Sequence, residues 1–180
     1  MNLANRISLF RIFLVPCAVA SLIYYNPTRD VLRYVTIGLF VLAICSDALD
    51  GFIARRLRQR SQLGKILDPI ADKLLVLSMI ISLSTIHGLP SWMRIPAWFN
   101  LIVISRDAIL VAGTFLILSL TGHLAVRPSQ LGKCAIASQM AVILAVLVQA
   151  PITFSLLVLS AILTISSGID YIRTGAHHLN

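Results

Sequence analysis

The 180-residue chain contains no glutamate and only seven aspartates, and charged residues make up just 12% of it. A soluble domain carries about 25% charged residues, so a soluble globular enzyme is excluded. A disordered chain is excluded with it, because disorder goes with high charge and low hydrophobicity. Cysteine is also scarce. Cys17, Cys45 and Cys134 are odd in number, far apart and set in apolar stretches. They form neither a disulfide framework nor a metal cluster and read as small packing residues. Repeats and low-complexity tracts are missing too, so residues 1–180 are expected to form one domain.

What is present in excess is apolar sequence. Hydrophobic residues make up 58% of the chain, and the mean hydropathy is +0.89. The expected fold is all-α, a polytopic membrane protein with six transmembrane helices, because lipid leaves the backbone few other ways to satisfy its hydrogen bonds. The apolar runs place the spans at 10–26, 33–55, 67–87, 96–121, 132–149 and 152–172. Asn26-Pro27, Gly88, Pro90, Gly122 and Pro151 punctuate them. The first run resembles a signal peptide around Ala18-Val19-Ala20, but it continues to Tyr25 and is expected to remain as a span. Tyr24-Tyr25, Trp92 and Trp98 read as interfacial anchors.

The formal charge of +8 reflects fifteen Lys and Arg residues. In such a chain the excess reads as topology and attraction to anionic headgroups, with no nucleic acid as partner. With the N-terminus in the cytoplasm, that side collects ten of these residues, Arg11, Arg127 and Lys133 among them. The other side receives three, Arg29, Arg33 and Arg94. Both termini are therefore expected in the cytoplasm. Lys73 and Arg106 fall within spans. Asp170 is expected to pair with Arg173.

Acids inside apolar sequence are functional candidates, because burying a lone charge is costly. Four of the seven aspartates, Asp47, Asp50, Asp68 and Asp72, fall within 26 residues. The first two are three apart and the second two four apart, so each pair shares a helix face. The two stretches flank a basic loop expected to span about a dozen residues, which brings all four carboxylates to one depth near the cytoplasmic surface. They cannot all stay ionised there without cations. Hard divalent ions, Mg2+ or Mn2+, suit an all-oxygen donor set, and two of them could clamp a phosphoryl group. Small Gly51 and Ala54 would admit a ligand close to the backbone. Arg55 offers a fork for phosphate, and Gly64 would free the loop. A calcium loop fits poorly, because its acids alternate every second residue.

Asp47-x-x-Asp50-Gly51-x-x-Ala54-Arg55, eight residues, then Gly64-x-x-x-Asp68-x-x-x-Asp72 resembles the CDP-alcohol phosphotransferase motif at all eight defining positions. The resemblance implies an integral membrane enzyme that transfers a phosphatidyl group from CDP-diacylglycerol to an alcohol and releases CMP. It implies that Asp47, Asp50 and Asp68 ligate two divalent cations, with Asp72 at the second ion or acting as general base. Asp47, Gly51, Ala54, Arg55 and Gly64 would hold the CDP moiety. A homodimer in the cytoplasmic membrane, its active site facing the cytoplasm, is implied as well.

The acceptor is expected to be glycerol-3-phosphate. The opening Asn2-Leu3-Ala4-Asn5-Arg6-Ile7-Ser8-Leu9-Phe10-Arg11 resembles the family branch that makes phosphatidylglycerolphosphate, with Ala4 where proline is usual. Arg106, Arg127 and Lys133 are the candidate phosphate-binding residues. Arg106-Asp107 stands where that branch has Arg-Glu, and Gly132-Lys133-Cys134-Ala135-Ile136 lacks its second lysine. The missing lysine removes part of the charge expected for the acceptor's phosphate. The Arg-Asp pair resembles the CMP-forming cardiolipin synthases of the same family, whose acceptor is phosphatidylglycerol. Two other classes, a cation-coupled transporter and an intramembrane prenyltransferase, would also use intramembrane acids. The first fits less well because the acids gather at one face, and transporters show paired halves. Prenyltransferases resemble longer chains with widely separated acid pairs.

Overall fold

A computed structural model describes residues 3–28, 30–57, 62–121 and 129–177, with side chains for 9–28, 30–46, 71–116, 119 and 129–174. All its regular elements are helical: α1 (Leu3–Ile23), α2 (Val31–Leu57), α3 (Gln62–Thr85), a 3-10 turn (Ser91–Met93), α4 (Ala97–Thr121), α5 (Gln130–Val148) and α6 (Thr153–His177). Among the described residues, three stretches are long and apolar enough to cross a membrane: Ser91–Leu116, Gln130–Val148 and Thr153–Thr174. Leu9–Ile23 and Val31–Ser46 are shorter apolar helices. The chain divides into two compact units, residues 1–94 and 95–180.

In the first unit α1 packs against both α2 and α3. Its inward stripe is Arg11, Leu14, Ala18 and Leu22, all buried, at the three- and four-residue spacing of one helix face. Phe40 and Ala43 of α2, and Leu75, Met79, Ile80 and Leu83 of α3, complete the core. The small Ala18 and Ala43 suit close helix approach, and the buried Ser21 and Thr36 hydroxyls join α1 to α2 at 2.6 Å. Pro16 lies inside α1. It cannot donate to the Ile12 carbonyl, a defect that membrane helices tolerate. The helix ends earlier than the apolar run because Pro27 biases Asn26 away from helical backbone. There the Asn26 carboxamide oxygen accepts from the Thr28 amide at 3.0 Å and hydroxyl at 2.9 Å.

The α2–α3 connection corrects the expected loop. Both helices run past their apolar windows, to Leu57 and from Gln62, and leave four residues between them. Hydropathy marks where polar residues begin, whereas helical backbone continues wherever water can solvate the side chains. Gly64 therefore lies on the first turn of α3 instead of in a loop.

At the opposite end of this unit, Tyr24 is exposed but Tyr25 is buried. The Tyr25 hydroxyl donates to Asp30 at 2.8 Å, so of these two tyrosines it is Tyr24 that is placed to serve as an interfacial anchor. Asp30 also pairs with Arg33 at 3.2 Å. The Arg33 guanidinium lies 4.9 Å from the Tyr34 ring centre and 5.5 Å from that of Trp92. Arg94 donates to the Leu89 carbonyl at 3.0 Å and the His87 carbonyl at 2.5 Å, closing the turn after α3.

In the second unit α6 packs against α4 and α5. One face of α6 is polar and bonded along its length. Ser160 accepts from Ser138 at 2.9 Å, and the Thr164 hydroxyl from Gln139 at 3.0 Å. Ser167 accepts from Arg106 at 2.8 Å, and Tyr171 meets the Thr114 hydroxyl at 2.7 Å. In lipid such bonds supply association energy that the hydrophobic effect cannot. Ser129 caps α5 by accepting from the Gly132 amide. The helix ends at Gln149, whose φ of 62° is left-handed, and Pro151 follows. Cys45 and Cys134 are exposed and Cys17 half-buried, all as free thiols, so two of the three are surface residues instead of packing residues. No ion pair joins Asp170 to Arg173 among the described residues, and Arg173 is exposed.

Candidate active site

Helix geometry arranges the motif before any side chain is considered. Measured from the α2–α3 connection at 1.5 Å per residue, Asp50 and Asp68 lie about 10 Å along their helices. Asp47 and Asp72 lie about 15 Å along. The four acids thus pair off by depth on two helical backbones. Ser46, immediately before Asp47, is buried and bonds back to the Ala43 carbonyl at 2.7 Å. The side chains of Asp47, Asp50, Gly51, Ala54, Arg55, Gly64 and Asp68 lie outside the described residues.

Asp72 is described, and it has a partner the sequence reading did not assign. Its Oδ1 accepts from Arg11 Nη1 of α1 at 2.7 Å. The Arg11 side chain is fully buried, while that of Asp72 is 25% exposed. Arg11 had read as a topology residue, yet the Arg11–Leu14–Ala18–Leu22 spacing already carried the signal that it faces inward.

The second unit holds the proposed acceptor residues. Arg106 is buried on α4. Its Nη1 pairs with Asp107 at 2.7 Å and its Nη2 donates to Ser167 at 2.8 Å, while Nε has no partner among the described residues. Gly132 eases this approach, since a Cβ there would sit 3.2 Å from Arg106 Nη2 and crowd it by a few tenths of an ångström. Beside it, α4 and α6 form a cleft of about 210 Å3 lined by Ile102, Ser105, Arg106, Ile109, Thr164 and Gly168, among others. Lys133 is exposed, and among the described residues the structure does not join its side chain to Arg106. Arg127 lies outside the described residues. Ser167 was missed because an isolated small residue gives no signal until a partner helix is known.

Three helical stretches long and apolar enough to cross a membrane define a membrane protein, and its four motif acids lie on the backbones of α2 and α3. The chain belongs to the CDP-alcohol phosphatidyltransferase family, whose pattern residues 1–166 match. A protein of Sodalis glossinidius named CDP-diacylglycerol–glycerol-3-phosphate 3-phosphatidyltransferase is 30% identical over 99% of this chain and 97% of its own length. A Haemophilus influenzae protein of the same name is 31% identical over 96% of this chain and 92% of its own. A shorter match reaches 40% identity with the same-named protein of Blochmanniella floridana, over 53% of this chain. In that match the chain spans about half of the relative's length, 48%.

Proposed function

We propose that the protein transfers a phosphatidyl group from CDP-diacylglycerol to the hydroxyl of glycerol-3-phosphate, releasing CMP and forming phosphatidylglycerolphosphate. The observation that carries this reading is the near full-length similarity to the Sodalis and Haemophilus proteins named for that reaction. The complete eight-position acid motif supports it. The same relatives favour glycerol-3-phosphate over phosphatidylglycerol, despite Arg106-Asp107. That pair is an internal ion pair at 2.7 Å, which accounts for the aspartate without an altered acceptor.

The residues fit two divalent cations. The stretch from Ser46 to Lys73 holds four carboxylates and no His or Cys, a hard oxygen donor set. Asp72 also keeps partial exposure. Asp47, Asp50, Asp68 and Asp72 would hold Mg2+ or Mn2+, which when bound would neutralise the charge of the diphosphate. The small Gly51 and Ala54 would admit the nucleotide close to the backbone, and Arg55 would supply a fork for its phosphate. The acceptor oxygen forms a bond to the phosphorus carrying diacylglycerol as the bond from that phosphorus to CMP breaks. Asp72 takes the hydroxyl proton. Arg106, with Arg127 and Lys133, would receive the acceptor's phosphate.

The same reading includes six spans with both ends cytoplasmic, supported by the ten-to-three distribution of Lys and Arg. The acid centre then faces the cytoplasm in the cell membrane, and the protein works as a homodimer, which cross-linking in native membranes tests.

The activity is tested by CMP release from CDP-diacylglycerol by purified protein in detergent with Mg2+ or Mn2+. Release dependent on glycerol-3-phosphate is expected. Release driven only by phosphatidylglycerol would replace the acceptor, and no release with either would overturn the reading.

A further inference from the structure

Arg11 stands where the α1 stripe calls for an apolar residue: Leu14, Ala18 and Leu22 share its face, and all four are buried. Burying an ion pair between two helices is a poor route to stability, because apolar residues of similar volume often hold them as well or better. Helix packing alone therefore does not account for the charge. The contact it makes is specific. Nη1 reaches across from α1 to Oδ1 of Asp72 on α3 at 2.7 Å, the short end of the range for charge-assisted bonds.

From this geometry we propose that Arg11 is a positioning residue for the Asp72 carboxylate. Backbone and χ1 set the Cβ–Cγ axis of Asp72, leaving rotation about that axis as the remaining freedom. A bond from a fixed guanidinium to Oδ1 removes that freedom and so sets where Oδ2 points. Arg11 is itself immobile because it lies in the core stripe of α1. The arrangement makes the α1–α3 contact part of the acid centre, although α1 carries none of the motif. The inference rests on the proposed activity, in which Asp72 accepts the proton of the attacking hydroxyl or contributes to the cation site.

The test uses Arg11→Met, Arg11→Lys, Asp72→Asn and the Met/Asn double variant of the full chain, assayed for CMP release and for thermal unfolding in detergent. Misplacement of a reacting group by about 1 Å costs about a hundredfold. Arg11→Met is therefore expected to lower kcat by that order with the KM for CDP-diacylglycerol within about threefold. Arg11→Lys, which keeps the charge but not the planar fork, should recover about tenfold of the loss. The double variant should be no slower than Asp72→Asn alone, because both changes act on one group.

A purely structural ion pair would lower the unfolding temperature while leaving kcat per folded molecule unchanged, and that result would overturn the proposal. An additive double variant would overturn it as well. If Arg11→Met does not fold, Arg11→Lys decides: turnover below wild type by about tenfold at unchanged KM supports the proposal, and wild-type turnover refutes it. Wild-type protein that releases no CMP would instead refute the proposed activity. A wild type that releases CMP beside an unaffected Arg11→Met refutes the positioning role alone.

Discussion

Replacing Gly113 by alanine tests how the second unit is held together. A Cβ at Gly113 would lie 2.8 Å from Cε1 of Tyr171 and 3.3 Å from its hydroxyl oxygen. Carbon atoms rest at 3.5–4.0 Å, so the ring must retreat by about 0.7 Å. Its hydroxyl bonds at 2.7 Å to Thr114 and 3.1 Å to the Leu110 carbonyl cannot both survive that shift. Overpacking costs about 1–3 kcal/mol, and interhelical hydrogen bonds in membranes average about 0.6 kcal/mol each. Alanine returns about 0.5–1 kcal/mol through its better helix propensity. The net loss is about 1–3 kcal/mol, a fall in melting temperature of about 3–10 °C for a chain of this size. Thermal unfolding in detergent reads it. Gly38 is the control, since a Cβ there meets nothing within 4 Å. Gly38→Ala should melt at or slightly above wild type. Removing the ring with Tyr171→Leu should abolish most of the Gly113→Ala penalty. A Gly113→Ala protein that melts like wild type, or a penalty that persists without the ring, would refute the reasoning.

Three further outcomes are expected. Asp68→Asn should abolish CMP release while the melting profile is preserved; retention of more than about a tenth of the activity would end the metal-ligand role. Arg106→Ala should cost about 2 kcal/mol or more in kcat/KM for glycerol-3-phosphate. An unchanged acceptor dependence would return Arg106 to its bonds with Asp107 and Ser167. Chelation with EDTA should stop CMP release, and Mg2+ or Mn2+ should restore it; turnover that survives chelation would remove the cations from the proposed chemistry.

The second unit was the more legible in sequence. Its helices contain long uninterrupted apolar runs, so Gly122 and Pro151 marked their ends to within a few residues. The α2–α3 connection was legible in content but not in length, because the arginine-rich segment is polar yet remains helical up to Leu57. The motif names the acids expected to act together, and helical spacing gives their depths along α2 and α3. Arg11 was misjudged because counting cations by side treats every arginine near a helix start as solvated, whereas the Leu14–Ala18–Leu22 stripe turns this one inward. Tyr25 erred for a similar reason: its neighbour Asp30 supplies a partner that a belt of interfacial aromatics would not need. The bonded face of α6 was invisible, since Ser160, Thr164 and Ser167 have meaning only beside Ser138, Gln139 and Arg106.

The adjacency of Arg106 and Asp107 has a consequence for biogenesis. Helices enter the membrane in chain order, and α4 carries Arg106 into lipid long before α6 brings Ser167. A lone arginine at mid-helix costs about 2.5–3.5 kcal/mol on insertion scales. Asp107 is the next residue in the chain, and its carboxylate takes Arg106 Nη1 at 2.7 Å, so a partner is available from the moment α4 is made. The pair acts as an escort that keeps a charged helix insertable until its permanent neighbour arrives.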